Sequence, residues 1–192
     1  MCRVTTRIAL ATCEQLPDLD PDDQPLINLF RKIGIEAAPA IWSDSSIDWT
    51  LFDQIIIRNT WDYTNRLGEF LAWAKSNKSR IRNSFETIRW NCDKIYLKDL
   101  ASAGFPVVDT QFVSGGDSGW DPPNTADFVV KPTVSAGSQD TMRFPADRPG
   151  SKRNAQDLIN RIVSHGKTAM VQPYLAAVDE VGETAQLFIG GD

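Results

Sequence analysis

The segment Asp127–Phe144 holds a lysine whose surroundings suit a phosphate. The β-forming run Phe128-Val129-Val130 delivers Lys131 and Pro132. A small-residue loop follows, Ser135-Ala136-Gly137-Ser138, and Met142-Arg143-Phe144 returns as a second strand. A lysine is a compact charge that meets phosphate, and backbone N–H groups of a small-residue loop can wrap anionic oxygens. The pattern predicts a hairpin holding a nucleoside triphosphate under a flexible lid. Lys94 is a second candidate. It falls in the first turn of a helix predicted after Asn91, where the helix dipole disfavours a cation unless an anion is bound and free N–H groups attract one. Val171-Gln172-Pro173-Tyr174-Leu175 is a strand broken by proline, whose backbone can read an adenine edge while apolar side chains sandwich the ring. Glu183 opens the next predicted strand, and its carboxylate can accept both ribose hydroxyls. Read singly, Lys94 is a solvated lysine and Glu183 an ordinary strand-start residue. Their order along the chain gives them meaning.

The elements that must position these residues are legible in the hydrophobic pattern. Arg7–Thr12 reads as a first buried strand. Pro25 opens a helix that Gly34 ends, with Leu26, Leu29, Phe30 and Ile33 as its inward stripe. Ile35–Trp42 is a second strand, interrupted near Pro39, and Phe52–Arg58 is a third that looks fully buried. Gly68–Ser76 is a further helix, with Phe70, Leu71, Trp73 and Ala74 inward. Continuous apolar runs alternating with helices predict a parallel α/β layer over residues 1–85. In residues 86–192, Asn91 caps a helix over Cys92–Ala103, and Phe105–Val113 is a strand region followed by a loop rich in glycine and proline. The hairpin comes next, then a helix over Ala155–Val163, the strand Ala169–Gln172 and a last strand over Ala185–Ile189.

Bulk properties narrow the function. The 192 residues carry a formal charge of −5 and 42% hydrophobic residues, enough for buried cores in one or two domains. The acidity argues against non-specific nucleic-acid binding, and no nucleic-acid partner is expected. Three widely spaced cysteines and one histidine, His165, exclude a zinc cluster or a disulfide framework. The thiols read as free, and His165 as an exposed turn residue. No apolar run is long enough for a membrane span, so a soluble cytoplasmic protein is expected. The first strand lacks the glycine fingerprint of dinucleotide folds, and no P-loop motif is present.

Together, Asn91-Cys92-Asp93-Lys94, Val130-Lys131-Pro132 with its Ser-Ala-Gly-Ser loop, Val171–Leu175 and Gly182-Glu183 resemble the ATP-grasp carboxylate–amine ligases. Arg58-Asn59-Thr60-Trp61-Asp62-Tyr63, with Phe70-Leu71-Ala72-Trp73 and Arg89-Trp90-Asn91, resembles the branch that holds the cycloserine-forming cyclo-ligase. The resemblance covers nearly the whole chain. It implies an α/β fold (α+β overall): a pre-ATP-grasp domain over 1–85, then the N-terminal subdomain of an ATP-grasp domain over 86–192, with the C-terminal subdomain largely absent. It implies ATP as cofactor, with Lys94 and Lys131 on the phosphates, Ser135, Gly137 and Ser138 in the lid, Gln172, Pro173, Tyr174 and Leu175 as the adenine hinge, and Glu183 on the ribose. The implied reaction phosphorylates a carboxylate and lets an amine displace the phosphate, on a small carboxylate or amino-acid substrate. Assembly into dimers or larger oligomers is a further implication.

Magnesium accompanies ATP in such ligases, and its carboxylate and asparagine ligands lie on strands past the ribose carboxylate. This sequence stops at Asp192, where relatives run on for roughly a hundred residues. No magnesium ligand is therefore expected within it. Either a longer ligase or a catalytically incomplete nucleotide-binding or interaction module fits. Loops that follow buried strands are the expected substrate edge of the first unit. There Arg58 or Arg66 could clamp a carboxylate and Asp62 an amine, with Thr60 beside them. Trp61 and Tyr63 read equally well as core aromatics that seat this loop. The surface beyond Tyr174 is expected to expose apolar side chains.

Overall fold

Strand β1 (Arg7–Thr12) is an inner strand of a four-stranded sheet ordered β2-β1-β3-β4, with β2 at Glu36–Ile41, β3 at Gln54–Asn59 and β4 at Ile81–Arg82. Every pairing is parallel. The computed structural model describes residues 5–115, 117, 119–121 and 127–182. By their contacts these form two units, one running to Ala103 and including Val134–Gly137, the other holding 104–133 and the chain from Ser138.

In the first unit, both sheet faces are covered, which is why its strands are apolar on successive positions. Ala9, Ala11, Ile55 and Ile57 pack with Trp42, with Phe70 and Ala74 of α2 (Leu67–Ser76) and with Ile88 of α3 (Phe85–Asn91). Ile8, Leu10 and Ile56 face Leu26, Ile27 and Phe30 of α1 (Pro25–Lys32). The predicted α1 stripe is corrected here: Ile27 turns inward, while Leu29 is 54% and Ile33 70% exposed. Gly34, at φ +80°, ends the helix as expected, and Ile35 N–H returns to the Phe30 carbonyl at 3.0 Å. Pro39 does not interrupt β2, because β2 is an edge strand that tolerates a missing donor. Of the apolar run in β3, Ile55 is fully buried but Ile56 and Ile57 only half so.

The helix expected over Cys92–Ala103 is divided. Ser84 caps α3 by accepting Thr87 N–H, so Asn91 closes a helix rather than opening one. A 3-10 turn, Lys94–Tyr96, follows with Asp93 as its cap, and α4 (Leu97–Ser102) completes the stretch.

The second unit is an antiparallel sheet ordered β5-β8-β6-β7, formed by β5 (Gln111–Val113), β6 (Phe128–Pro132), β7 (Met142–Phe144) and β8 (Ala169–Pro173). Of the predicted region Phe105–Val113, only its last three residues form a strand. Helix α5 (Ser151–Ser164) lays Ala155, Leu158, Ile159 and Ile162 on Phe128, Val130, Phe144, Ala169 and Val171. A four-residue helix, α6 (Ala177–Glu180), follows β8 and contributes no buried side chain. The strand predicted at Ala185–Ile189 lies outside the described residues. Among the described residues, no helix is long and apolar enough to cross a membrane.

Candidate functional site

Alternation along β6 sends Phe128 and Val130 into the core under α5, buries Pro132 at the strand end, and leaves Val129 and Lys131 on the opposite face. Paired residues share a face. Val129 pairs with Arg143 on one side and Gln172 on the other, and Lys131 pairs with Met170. The sheet face away from α5 therefore carries Asp127, Val129 and Lys131 on the line of β6, Arg143 on β7, and Met170, Gln172 and Tyr174 on the line of β8. Lys131 lies two residues along β6 from the Val129–Gln172 pair, roughly 7 Å. That order runs from the proline-broken end of β8 towards the lid.

Each predicted residue at the β8 end has partners. Gln172 is buried, and its Nε2 donates to Thr110 Oγ1 at 2.8 Å. Pro173 pairs with Phe128, and Tyr174 N–H donates to the Asp127 carbonyl at 2.7 Å. The Tyr174 hydroxyl donates to Asp179, and its ring lies 3.7 Å under the Arg143 guanidinium. Arg143 is forked between Asp127, at 2.7 Å, and Asp179, at 2.9 Å. Both carboxylates are held below their ordinary pKa, Asp127 chiefly by Arg143 and Asp179 chiefly by the tyrosine hydroxyl and then Arg143. Leu175, Val178 and Val181 are 50%, 42% and 79% exposed, so apolar side chains are exposed past Tyr174 as expected, beside the exposed Asp179 and Glu180. Glu183 lies outside the described residues.

In the lid, Gly137 and Ser138 both take φ 59° and Asp140 φ 52°, left-handed conformations that a small-residue loop reaches at least cost. Asp140 accepts Arg161 of α5 at 3.2 Å. Lys94 Nζ, in the first unit, donates to the Ser135 carbonyl at 2.8 Å and to its hydroxyl at 3.3 Å.

At the C-terminal ends of the parallel strands, Arg58 is ion-paired with Asp23, a residue that sequence reasoning passed over within an aspartate-rich loop. Asn59 Nδ2 donates to the same carboxylate at 2.9 Å, while Asn59 Oδ1 accepts Asp20 N–H at 3.0 Å. The Arg58 bond, aided by Asn59, outweighs burial and lowers the Asp23 pKa. Thr60 is buried, and its carbonyl accepts Tyr63 N–H. Asp62 accepts Trp42 Nε1 at 2.7 Å, and Arg66 lies 5.0 Å over the Trp42 ring while pairing with Glu69 at 2.7 Å. Tyr63 packs on Phe70, and burial raises its pKa to about 12. Trp61, by contrast, is half exposed rather than a core aromatic. Cys13 and Cys92 are free and buried, and burial raises Cys92 to about 11. His165 is exposed at the end of α5. Among the described residues, no three His, Cys, Asp or Glu side chains gather to hold a metal ion.

Residues 8–83 match the family of the D-cycloserine synthetase DcsG N-terminal domain. The chain is 33% identical to the cycloserine biosynthesis protein DcsG of Streptomyces lavendulae over 96% of its own length and 64% of that protein's. The crystal structure of D-cycloserine synthetase DcsG superposes with a TM-score of 0.79 at 30% identity, covering 92% of this chain and 62% of that one. Two more distant structures share the fold at a TM-score of 0.59, each over 89% of this chain. One is a RimK domain ATP-grasp protein from Sphaerobacter thermophilus, 18% identical and covered over 64% of its chain. The other is the D-alanine–D-alanine ligase of Bacillus anthracis, solved with ATP, 12% identical and covered over 59%. The chain thus spans just under two-thirds of the length of the DcsG proteins it matches.

Proposed function

We propose that this chain, which resembles the N-terminal two-thirds of an ATP-grasp carboxylate–amine ligase of the DcsG branch, is the ATP-binding part of an enzyme that joins a carboxylate to an amine. The observation that carries the reading is the sheet face away from α5. Lys131 and the proline-broken end of β8 share that face, and a lid with left-handed residues at its turn follows β6. This donor set fits a nucleotide. An ammonium group and small-residue N–H groups suit phosphate, and a strand end beside aliphatic side chains suits a base.

Lys131 neutralises phosphate charge, and Ser135, Gly137 and Ser138 close over it. Lys94 joins them by exchanging its bond to the Ser135 carbonyl for a phosphate oxygen. Gln172, Pro173, Tyr174 and Leu175 receive the base, and Glu183 takes the ribose hydroxyls. ATP supplies the phosphoryl group that turns a carboxylate into an acylphosphate, and an amine then attacks the acyl carbon, forming the C–N bond as inorganic phosphate leaves. Such transfer depends on positioning and charge neutralisation rather than on a protein nucleophile. Arg58, Thr60 and Asp62 sit at the edge of the first unit where a small carboxylate or amino-acid substrate would approach. Arg58 is held by Asp23 and Asp62 by Trp42, so both present fixed orientations. Magnesium belongs to this reading as the companion of ATP, with ligands to be sought outside the described residues.

Calorimetric titration of the chain with ATP and ADP, with and without magnesium, tests the reading. Saturable binding of both nucleotides is expected. A folded sample that binds neither contradicts it, and binding without any ligase activity in a longer chain favours an incomplete nucleotide-binding module.

A further inference from the structure

The segment that follows β8 has little to hold it. α6 buries no side chain, Leu175 and Val178 are about half exposed, and Val181 is largely exposed. Among the described residues, its side-chain fixed points converge on one residue. Tyr174 N–H is tied to the Asp127 carbonyl at 2.7 Å, and the side chain of Asp127 is tied to Arg143 at 2.7 Å. The Arg143 guanidinium covers the Tyr174 ring at 3.7 Å and holds Asp179 at 2.9 Å, while the Tyr174 hydroxyl closes the ring of contacts on the same Asp179. Only a planar, multidentate cation can stack on a ring and fork between two carboxylates at once.

We propose that Arg143 is a positioning residue for base recognition: it latches Tyr174–Asp179 to the β6–β7 hairpin and so fixes the hinge backbone that receives the base. Arg143 itself touches no nucleotide, and the Tyr174 side chain serves the latch; its N–H is held by the Asp127 carbonyl, so its own carbonyl is the main-chain group offered to the ligand. The inference rests on the nucleotide-binding reading above. It predicts a specific asymmetry. Ligands that use the hinge depend on Arg143, and ligands that use only the lysine and lid do not.

The test is calorimetric titration of the chain and its Arg143→Gln, Arg143→Lys and Asp179→Asn variants with ATP, ADP and inorganic tripolyphosphate. Arg143→Gln should lose about tenfold in ATP and ADP affinity, within the range of coupled contacts, and keep its tripolyphosphate affinity. Arg143→Lys should not restore the loss, because it keeps the charge but not the fork or the stack. Adding Arg143→Gln to Asp179→Asn should produce little further loss. Unchanged ATP affinity in Arg143→Gln or Asp179→Asn overturns the latch alone, as does an equal loss of tripolyphosphate binding. An unaltered chain that binds no ATP overturns the nucleotide reading and the latch with it.

Discussion

Replacing Asp23 by Asn should destabilise the first unit by about 2 kcal/mol at neutral pH. The carboxylate is buried, ion-paired with Arg58 and hydrogen-bonded to Asn59 at 2.9 Å. A hydrogen bond to a charged group contributes about 1.5–3 kcal/mol, and a substituted amide turns a donor towards the guanidinium. The Arg58 side chain is 42% exposed, so water recovers part of the loss, which keeps the figure near the lower half of that range. Five of the six tryptophans lie in the first unit, since only Trp120 lies outside it, and their fluorescence therefore follows its unfolding in urea. With a slope of about 2 kcal/mol per M, the midpoint should fall by about 1 M. The pH dependence carries a sign. The folded pKa of Asp23 lies below its ordinary 3.8, so its contribution is present above that value and is lost as pH falls through the folded pKa. The gap between the parent and Asp23→Asn should hold from pH 7 to 5 and shrink below pH 4. An unchanged midpoint at pH 7, or a gap that widens in acid, would refute the reasoning.

Lys131→Ala should weaken ATP and ADP binding by about 10- to 150-fold, the equivalent of one charge-assisted contact, and calorimetry showing unaltered affinity would remove Lys131 from the phosphate site. Phe128→Ala should cost about 3–5 kcal/mol in chemical denaturation, because Phe128 is 2% exposed and stacked 5.4 Å from Phe144; a loss under 1 kcal/mol would mean that the second core collapses around the gap. At alkaline pH the first unit should lose stability in two stages. Cys92 is raised from 9.0 to about 11 and Tyr63 from 10.0 to about 12, so the folded state retains protons that the unfolded chain releases. Urea midpoints should thus fall as pH rises from 9 towards 12, and Cys92→Ser with Tyr63→Phe should flatten that slope.

Much of this fold is written in local pattern. β1 carries alternate side chains into two covered layers, so its apolar run fixes its place, and the Phe128–Val130 run predicts the hairpin strand that delivers Lys131. The misses have physical causes. Periodicity alone could not tell which neighbouring residue of α1 turns inward, because Leu29 and Ile27 are both apolar and only the sheet beneath decides. Asn91 is a good cap by type, yet Ser84 and Asp93 were equally available and take that role. β4 has two residues, too few to show a period. The partners of the candidate site were the least legible part. Asp23 meets Arg58 across 35 positions of sequence and Arg143 meets Asp179 across 36, and no local rule pairs charges over such distances.

The central claim is that a nucleotide lies on the face of the second sheet away from α5. Mapping backbone amide shifts of the isotopically labelled chain during ATP addition tests it most directly. The account predicts shifts at Val129, Lys131, Ser135–Ser138 and Gln172–Leu175, with Leu158, Ile159 and Ile162 of α5 unmoved. Shifts confined to α5, or to the ends of β1 and β3 around Thr12 and Asn59, would contradict it.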